Sequence, residues 1–315
     1  MAAGEAVYRH TGVVLLRGTT CPGGLTLPDD VDLFGDTVVE RGRAWLTQVW
    51  QRSEVRQAVQ LASPVLSRRV ERTLAGEPDA RQMRRVVLSL VSYLLRWQGR
   101  ATPFGLFAGV TAAGVGGDPV VRWGQDHRVV ARADAAWVGA VLGRLERCPR
   151  LVDRLPVVVD NTAVVRGDRL VICGQPSDER PVQLAPAEVS VRNIRPVDAT
   201  VRAAQEPLPF GELAKLLRTD YPAVPADQIR AMLTKLAAQH ILITALRAPM
   251  TTPDALAHVN AQLQAVGAEE LSGLAEMAAE LAAIHDELSR MTCATTSSIG
   301  EMPGPERLAD RMRAV

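Results

Sequence analysis

Residues 79–110 read DARQMRRVVLSLVSYLLRWQGRATPFGLFAGV, and a change of pattern inside this stretch sets the fold class. Met83, Val86, Val87, Leu90 and Leu94 fall at helical spacing and form one apolar stripe. Asp79, with Gln82 three positions on, forms a capping box ahead of the stripe, and Gly99 supplies a terminator. After Gly99 the helical period stops. The run RATPFGLFAGV is dense in turn formers and aromatics, unlike a solvated surface loop. A capped amphipathic helix that ends in such a turn, in a chain where short β-rich runs alternate with helical stretches, implies an α+β protein of mixed helices and small antiparallel sheets.

Towards the N-terminus, helix formers run from Trp45 to Leu74 with a break at Ser63–Pro64. A short β-rich run, Gly12 to Leu16, ends at Arg17 and is followed by a Gly/Pro/Asp-rich loop. In the other direction, residues 127–132 read as a strand and Ala135–Arg147 as a helix. Two β-rich pieces within 156–173 flank an Arg166-Gly167-Asp168 hairpin turn, and Glu188–Arg192 alternates like a strand. Three helical segments follow: Val197–Ala204, Phe210–Arg218, and one opened by Pro225 with Ile229, Met232, Leu233 and Leu236 on one face. Ile241–Leu246 closes the block as a strand. A strand pair, three helices and a closing strand is the order of a winged helix. Thr252–Arg290 is helical in composition, Thr292–Gly304 reads as a linker, and Pro305 starts a last helix. The expected organisation is therefore three parts: 1–154 with an Arg-rich segment, 155–250 as a winged-helix module, and 251–315 as a helical tail.

The 315 residues carry a formal net charge of +1, but that average hides an asymmetry. Residues 41–100 hold 12 Arg, no Lys and 4 acids, so this stretch is +8 and the rest of the chain −7. Such a segment reads as a local anion-binding surface. Arg68, Arg69 and Arg72, with Arg81, Arg84 and Arg85, cluster most tightly. Lys215 and Lys235 are the only lysines, so Arg over Lys reflects genome composition more than chemistry. Cys21, Cys148, Cys173 and Cys293 stand far apart and form no metal-ligand spacing, which implies a reducing compartment and no metal site. There is no signal-peptide pattern and no apolar run of the ~18 residues that would span a membrane, so the expected location is the cytoplasm.

Motifs for nucleotide phosphates, zinc proteases and serine hydrolases are missing. A group-transfer enzyme of this sequence would need a substrate that arrives already activated. Arg96 and Arg100, four residues apart, are suited to grip a phosphate or carboxylate. The Thr102 hydroxyl and the amides of the Pro103-Phe104-Gly105 turn are placed to add hydrogen bonds. The plainer alternative is two solvated arginines beside a core turn.

Arg96-x-x-x-Arg100-x-Thr102-Pro103-Phe104-Gly105-Leu106-Phe107-Ala108-Gly109 resembles the signature of the lantibiotic dehydratases, in their N-terminal glutamylation domain. Similarity extends to Leu61-Ala62-Ser63-Pro64-x-Leu66, to Arg132-x-Asp134-x-x-Trp137, to Leu16-Arg17, to residues 189–192 (VSVR), and to Leu256-Ala257-His258-Val259. The resemblance implies an enzyme that takes glutamate from glutamyl-tRNA, esterifies Ser and Thr of a ribosomal precursor peptide, and leaves elimination to a further domain. By it, Arg17, Arg96, Arg100, Thr102 and Asp134 match positions important for glutamylation, with Asp134 alternatively a structural residue near a helix start. The Arg-rich segment would bind tRNA, with glutamyl-tRNA as co-substrate and no bound cofactor. The winged helix would bind the precursor's leader by adding its backbone to Glu188, Val189, Ser190, Val191 and Arg192, against a helix wall carrying Ile229 and Leu233. Family enzymes are much longer, so the chain is expected to be incomplete alone, its partners including a chain that completes the glutamylation domain and an elimination domain. The alternatives are a non-catalytic leader-binding scaffold, a fragment of a split enzyme, or a winged-helix DNA-binding regulator. Residues 188–246 hold seven basic and six acidic residues, which favours peptide over DNA.

Overall fold

The structure is a computed structural model that describes residues 11–21, 23–28, 32–116, 118, 120, 127–174, 187–292 and 305–315. The chain divides into two compact units, residues 1–127 and 128–315.

In the first unit, helices α1 (Val38–Trp50), α2 (Ser53–Ala62), α3 (Pro64–Ala75) and α4 (Ala80–Gly99) surround one core containing Leu46, Val55, Val59, Val70, Met83, Leu90 and Leu94. Each boundary has a local cause. Asp79 and Gln82 close the expected capping box, with Gln82 N donating to Asp79 Oδ1 at 2.7 Å. Ser63 caps α3 by accepting from Leu66 N at 3.3 Å, and Pro64 occupies the first helical position. The sequence pattern anticipates one break between Trp45 and Leu74, but the structure has a second at Gln51–Arg52. There Arg52 takes an extended backbone, while its guanidinium bonds Glu54 and the Gly23 carbonyl. Gly42 lets α1 approach α4, since a Cβ there would lie 2.8 Å from Met83 Cγ. Strand β1 (Val13–Thr19) pairs antiparallel with β2 (Ala108–Gly114), from Val13↔Gly114 to Thr19↔Ala108.

The second unit has two cores. One holds α5 (Ala135–Leu145) and α6 (Pro149–Arg154) against the tail helices α10 (Ala255–Ala265), α11 (Ala275–Thr292) and α12 (Pro305–Ala314), through Val138, Leu142, Leu256, Leu263, Leu281, Ile284 and Leu308. This shared core joins α5 and α6 to the tail, so the cores do not follow the three-part division suggested by the sequence. Residues 127–132 do not form the expected strand, because the Ala131 amide and carbonyl both bond to Thr292 Oγ1 at 3.1 Å. Most of the expected linker, residues 293–304, lies outside the described residues, as does Cys293.

The other core is the winged-helix block. Strand β3 (Pro156–Val159) is central in a sheet of order β7-β3-β8, with β7 (Leu208–Pro209) and β8 (Leu242–Thr244). Strands β4 (Val164–Arg166), β5 (Arg169–Gly174) and β6 (Ala187–Arg192) form the wing in that order. The sequence pattern anticipates two β-rich pieces within 156–173; there are three, because Asp160 turns the chain after β3 by accepting from Thr162 N and Oγ1 at 2.7 and 2.6 Å. Gly167 makes the β4–β5 turn at φ +61°. Helices α7 (Arg195–Ala203), α8 (Phe210–Asp220) and α9 (Ala226–Ala238) pack on these strands through Val197, Phe210, Leu213, Leu217, Ile229 and Leu233. Among the described residues no helix is long and apolar enough to cross a membrane.

Helix α9 ends in a Schellman motif, in which His240 N donates to Ala237 O and Ile241 N to Leu236 O, both at 2.9 Å. The left-handed position falls on His240, at φ 60°, where glycine is the usual residue. Its Nδ1 is buried without a partner. Burial, and secondarily Arg247, holds the imidazole below its ordinary pKa of 6.5, with Glu146 and Asp160 opposing. The unfolded ring therefore takes up its proton at a higher pH than the folded one. Its contribution destabilises the fold as pH falls through 6.5, until the folded ring is protonated as well. His240→Gly is expected to raise stability by about 0.5–1 kcal/mol at neutral pH. It should also flatten the acid limb of stability against pH, as measured by urea midpoints between pH 5 and 8.

Candidate functional site

The end of α4 carries a cluster of four aromatic side chains. Tyr93 and Trp97, one turn apart, point towards the turn that follows. Phe107 stacks on Trp97 with ring centroids 5.0 Å apart and an interplanar angle of 10°, and Tyr93 and Phe104 meet Phe107 edge-on at 6.2 and 5.8 Å. Gly105 makes this possible by turning at φ +55°, with Leu61 and Ala62 close behind it. The Phe107 amide closes the turn onto Phe104 O at 3.0 Å. Two threonines following β1 and at its end fasten the arrangement: Thr19 Oγ1 donates to Trp97 O, Thr20 Oγ1 to Leu106 O, and Trp97 Nε1 to Thr20 Oγ1 at 3.0 Å.

On this base lies an open cavity of about 630 Å³, lined by Ser92, Tyr93, Leu95, Arg96, Gly99, Arg100 and Phe104. Arg96 is half-buried, with its guanidinium carbon 4.6 Å from the centre of the Phe104 ring. Its Nε is buried without a hydrogen-bond partner, which makes it an available donor. Arg100, the residue that caps α4, is exposed. Neither guanidinium pairs with a carboxylate among the described residues. An aromatic floor with two unpaired guanidiniums suits a planar or anionic ligand.

The other expected site residues fall in different places. Arg17 is exposed on β1, opposite Val110 and on the same face of the ribbon as Thr19. Two strand residues, about 7 Å, separate it from the Thr19–Trp97 bond. Thr102 is exposed, and neither it nor Arg17 lines the cavity. Asp134 belongs to the second unit and caps α5, its Oδ1 accepting from Ala136 N at 2.9 Å and Trp137 N at 3.2 Å. Its motif neighbours are likewise engaged, Arg132 with Pro253 O and Trp137 Nε1 with Met312 O. Sequence reasoning misses Phe104 and Tyr93 as cavity walls, although the i, i+4 spacing of Tyr93 and Trp97 before a Phe-rich turn is a usable signal.

Within the Arg-rich segment several arginines serve the fold. Arg43 bonds the Leu74 and Gly76 carbonyls, Arg56 bonds Trp50 O, and Arg84 bonds Leu33 O beneath the Phe34 ring. Arg72 Nε bonds Arg68 O on the surface of α3. Arg68, Arg69, Arg81 and Arg85 are exposed and have no carboxylate partner among the described residues. In the wing, Glu188 pairs with Arg166 at 2.9 Å, Ser190 accepts from Arg169 through its hydroxyl at 3.0 Å, and Arg192 lies 3.9 Å from Asp168. Val189 and Val191 turn towards the core. Ile229 and Leu233 are 2% and 0% exposed, so they anchor α9 and do not face a ligand. Among the described residues no group of three or more His, Cys, Asp or Glu is placed to hold a metal.

Comparisons with known proteins agree in direction. The subtilin biosynthesis protein SpaB of Bacillus subtilis is 25% identical over 186 residues, covering 58% of this chain and 17% of SpaB. The crystal structure of the tRNA dependent lantibiotic dehydratase MibB from Microbispora sp. 107891 superposes on 96% of this chain with a TM-score of 0.72 and 28% identity, using 27% of MibB. The glutamylation domain of TbtB, from thiomuracin biosynthesis, shares the fold over 86% of this chain, with 20% identity and a TM-score of 0.50. The chain thus spans between about a sixth and a third of these relatives. The family described as lantibiotic dehydratase, N terminus, matches residues 51–315, from just before α2 to the last helix. On that match this chain belongs to the lantibiotic dehydratase family, as an N-terminal region.

Proposed function

We propose that the chain is the N-terminal portion of a tRNA-dependent glutamyl transferase that prepares Ser and Thr of a ribosomal precursor peptide for dehydration. The observation that carries this reading is the cavity at the end of α4, where Arg96 Nε lacks a partner beside Arg100 and an aromatic floor. In the reaction, the peptide hydroxyl oxygen attacks the carbonyl carbon of the glutamyl ester. A new ester bond forms, the bond to the tRNA ribose oxygen breaks, and the hydroxyl proton ends on that oxygen. Arg96 and Arg100 hold the phosphate or glutamate carboxylate, while Arg17 and Thr102 act from the adjoining ribbon and turn. Asp134, in the second unit, spends one oxygen on the α5 amides, and only its motif match carries it as a residue of the reaction. Because aminoacyl-tRNA is the co-substrate, the site of action is the cytoplasm. No bound cofactor enters the scheme.

The exposed Arg68, Arg69, Arg72, Arg81 and Arg85, with Arg84 at their margin, form the tRNA-facing surface. Affinity for tRNA should then fall steeply with salt. Replacing Arg68, Arg69, Arg81 and Arg85 with Ala should flatten the log–log slope by about 0.7–0.9 for each phosphate no longer neutralised. Filter binding at several salt concentrations checks this; a slope unchanged by the fourfold variant would remove tRNA from these helices. The wing is assigned to the leader, which pairs its backbone with β6 from Glu188 to Arg192, while Ile229 and Leu233 support α9 from inside.

A second reading, a leader-binding piece without catalysis of its own, is favoured by β6, which lies at the edge of its sheet with only β5 beside it among the described residues. Supplying glutamyl-tRNA and precursor peptide separates the two. A transferase, with the remainder of its domain present, releases glutamylated peptide; a scaffold binds peptide and transfers nothing. Binding to promoter DNA in preference to both would support the regulator instead.

A further inference from the structure

Phe34 is the most exposed aromatic side chain among the described residues, at 84%. It sits in the turn before α1, ahead of the residues that match the family. The turn is tied down on two sides. Phe34 N donates to Asp32 Oδ1 at 2.9 Å, and Gly35 N to Asp32 O at 3.4 Å. From α4, Arg84 donates its Nε to Leu33 O and lays its guanidinium carbon 5.0 Å from the centre of the Phe34 ring. One face of the ring is thus backed by a cation, and the rest is open to solvent. Arg81 stands three positions before Arg84 and four before Arg85, so the three arginines start from one side of α4. Arg81 and Arg85 are exposed and have no carboxylate partner among the described residues.

We propose that Phe34 is a stacking platform for one unpaired RNA base, supplied by the tRNA, with Arg81 and Arg85 holding the phosphates beside it. The proposal rests on the tRNA-dependent reading above and adds a contact that the Arg-rich surface alone does not provide. Every base has a π-face, so stacking on an aromatic side chain needs no particular sequence. A base within a helix is already stacked on both sides, so the ring can take only an unpaired one. The surroundings favour this occupant over a protein. Asp32, Leu33, Gly35 and Asp36 add no second exposed apolar side chain to the ring. A lone ring among charges is not the contiguous apolar patch on which proteins dock. Arg84 is spent on the ring and the Leu33 carbonyl, so it holds the platform in place and little ordering remains for binding to cost. Asp32 and Asp36 on the turn repel phosphate, which directs the backbone of the bound nucleotide to the α4 side, past Arg81 and Arg85.

Filter binding of the 315-residue chain to glutamate tRNA, to a single-stranded oligoribonucleotide and to the corresponding duplex tests this. Phe34→Ala should weaken tRNA and single-strand binding about 5- to 100-fold and leave duplex binding unchanged. The log–log salt slope should stay the same, because no charge is lost. Phe34→Trp should bind at least as tightly as the wild type. Phe34→Leu should bind as weakly as Phe34→Ala, since leucine keeps an apolar surface without a π-face. All three variants should melt with the wild type. Equal tRNA affinity in Phe34→Ala would overturn the proposal and leave the arginines as the tRNA contact. Wild-type affinity in Phe34→Leu would overturn it too, by making the ring a plain apolar contact. A drop of more than about 5 °C in the melting temperature of Phe34→Ala would mean that the chain covers its own ring, and the platform would fall. Single-strand binding that depends on Phe34, without any binding of tRNA, would count against the proposed function and leave the platform standing. If the wild type binds none of the three RNAs, both are overturned.

Discussion

Replacing Arg96 and Arg100 together with Ala is expected to lower glutamyl transfer by about 100- to 1000-fold, with the fold of the first unit intact. The size follows from the chemistry. A hydrogen bond to a charged group contributes about 1.5–3 kcal/mol, and two such bonds to one anion near the low end, about 3–4 kcal/mol together, correspond to this range. The fold should survive because neither guanidinium makes a hydrogen bond or ion pair among the described residues. What the substitution removes inside the chain is the packing of Arg96 over the Phe104 ring, worth about 0.5–1 kcal/mol at an open site. Arg96→Lys discriminates further. It keeps a positive charge but removes the planar fork and the unpartnered Nε, so it should recover only part of the rate. Single-turnover transfer from glutamyl-tRNA, with the rest of the glutamylation domain supplied, reads the effect, and the urea midpoint checks the fold. Wild-type transfer by the double variant would dismiss the cavity as the anion site and return both arginines to a solvated surface.

Such a prediction is possible because the α4 region was legible in the sequence at several levels at once. The Asp79 cap, the stripe from Met83 to Leu94 and the Gly99 terminator all describe the same helix, and all three appear in the structure. Local signals of this kind survive because their partners are three or four residues away. Distant partners defeated the reading elsewhere. Residues 127–132 have strand composition, but the main chain of Ala131 bonds to a threonine 161 positions on. Arg52 breaks a helical run for a carbonyl at Gly23. At the candidate site, the arginines were visible as a spacing, whereas Phe104 as the surface beneath Arg96 depends on Gly105 turning left-handed. Asp134 shows the reverse limit. Its place before a helix allowed both a cap and a reactive carboxylate, and the structure has the cap while one oxygen stays open. For Ile229 and Leu233, apolar spacing gave the helix face but not whether core or ligand lay against it; the core does.

Phe107→Ala should be the most destabilising single change in the first unit, at about 3–5 kcal/mol. The ring is 1% exposed and touches three other aromatics, stacked on Trp97 and edge-on to Tyr93 and Phe104. Truncation loses the buried area and also leaves a cavity, because Trp97 is held by its bond to Thr20 and cannot simply follow. The consequence should reach the functional site. Phe104 would lose its neighbour and Arg96 the ring beneath it, so transfer should fall even under conditions where the variant remains folded. Phe107→Leu keeps most of the volume and should cost appreciably less. Thr20→Val probes the same fastening by a different route, since the hydroxyl accepts from Trp97 and donates to the Leu106 carbonyl. Leaving those two groups unpaired should cost about 1–3 kcal/mol. Urea unfolding followed by circular dichroism ranks the three variants. If Phe107→Ala unfolds at the wild-type midpoint, the aromatic cluster does not hold the end of α4, and the rigidity assigned to the arginine cavity loses its source.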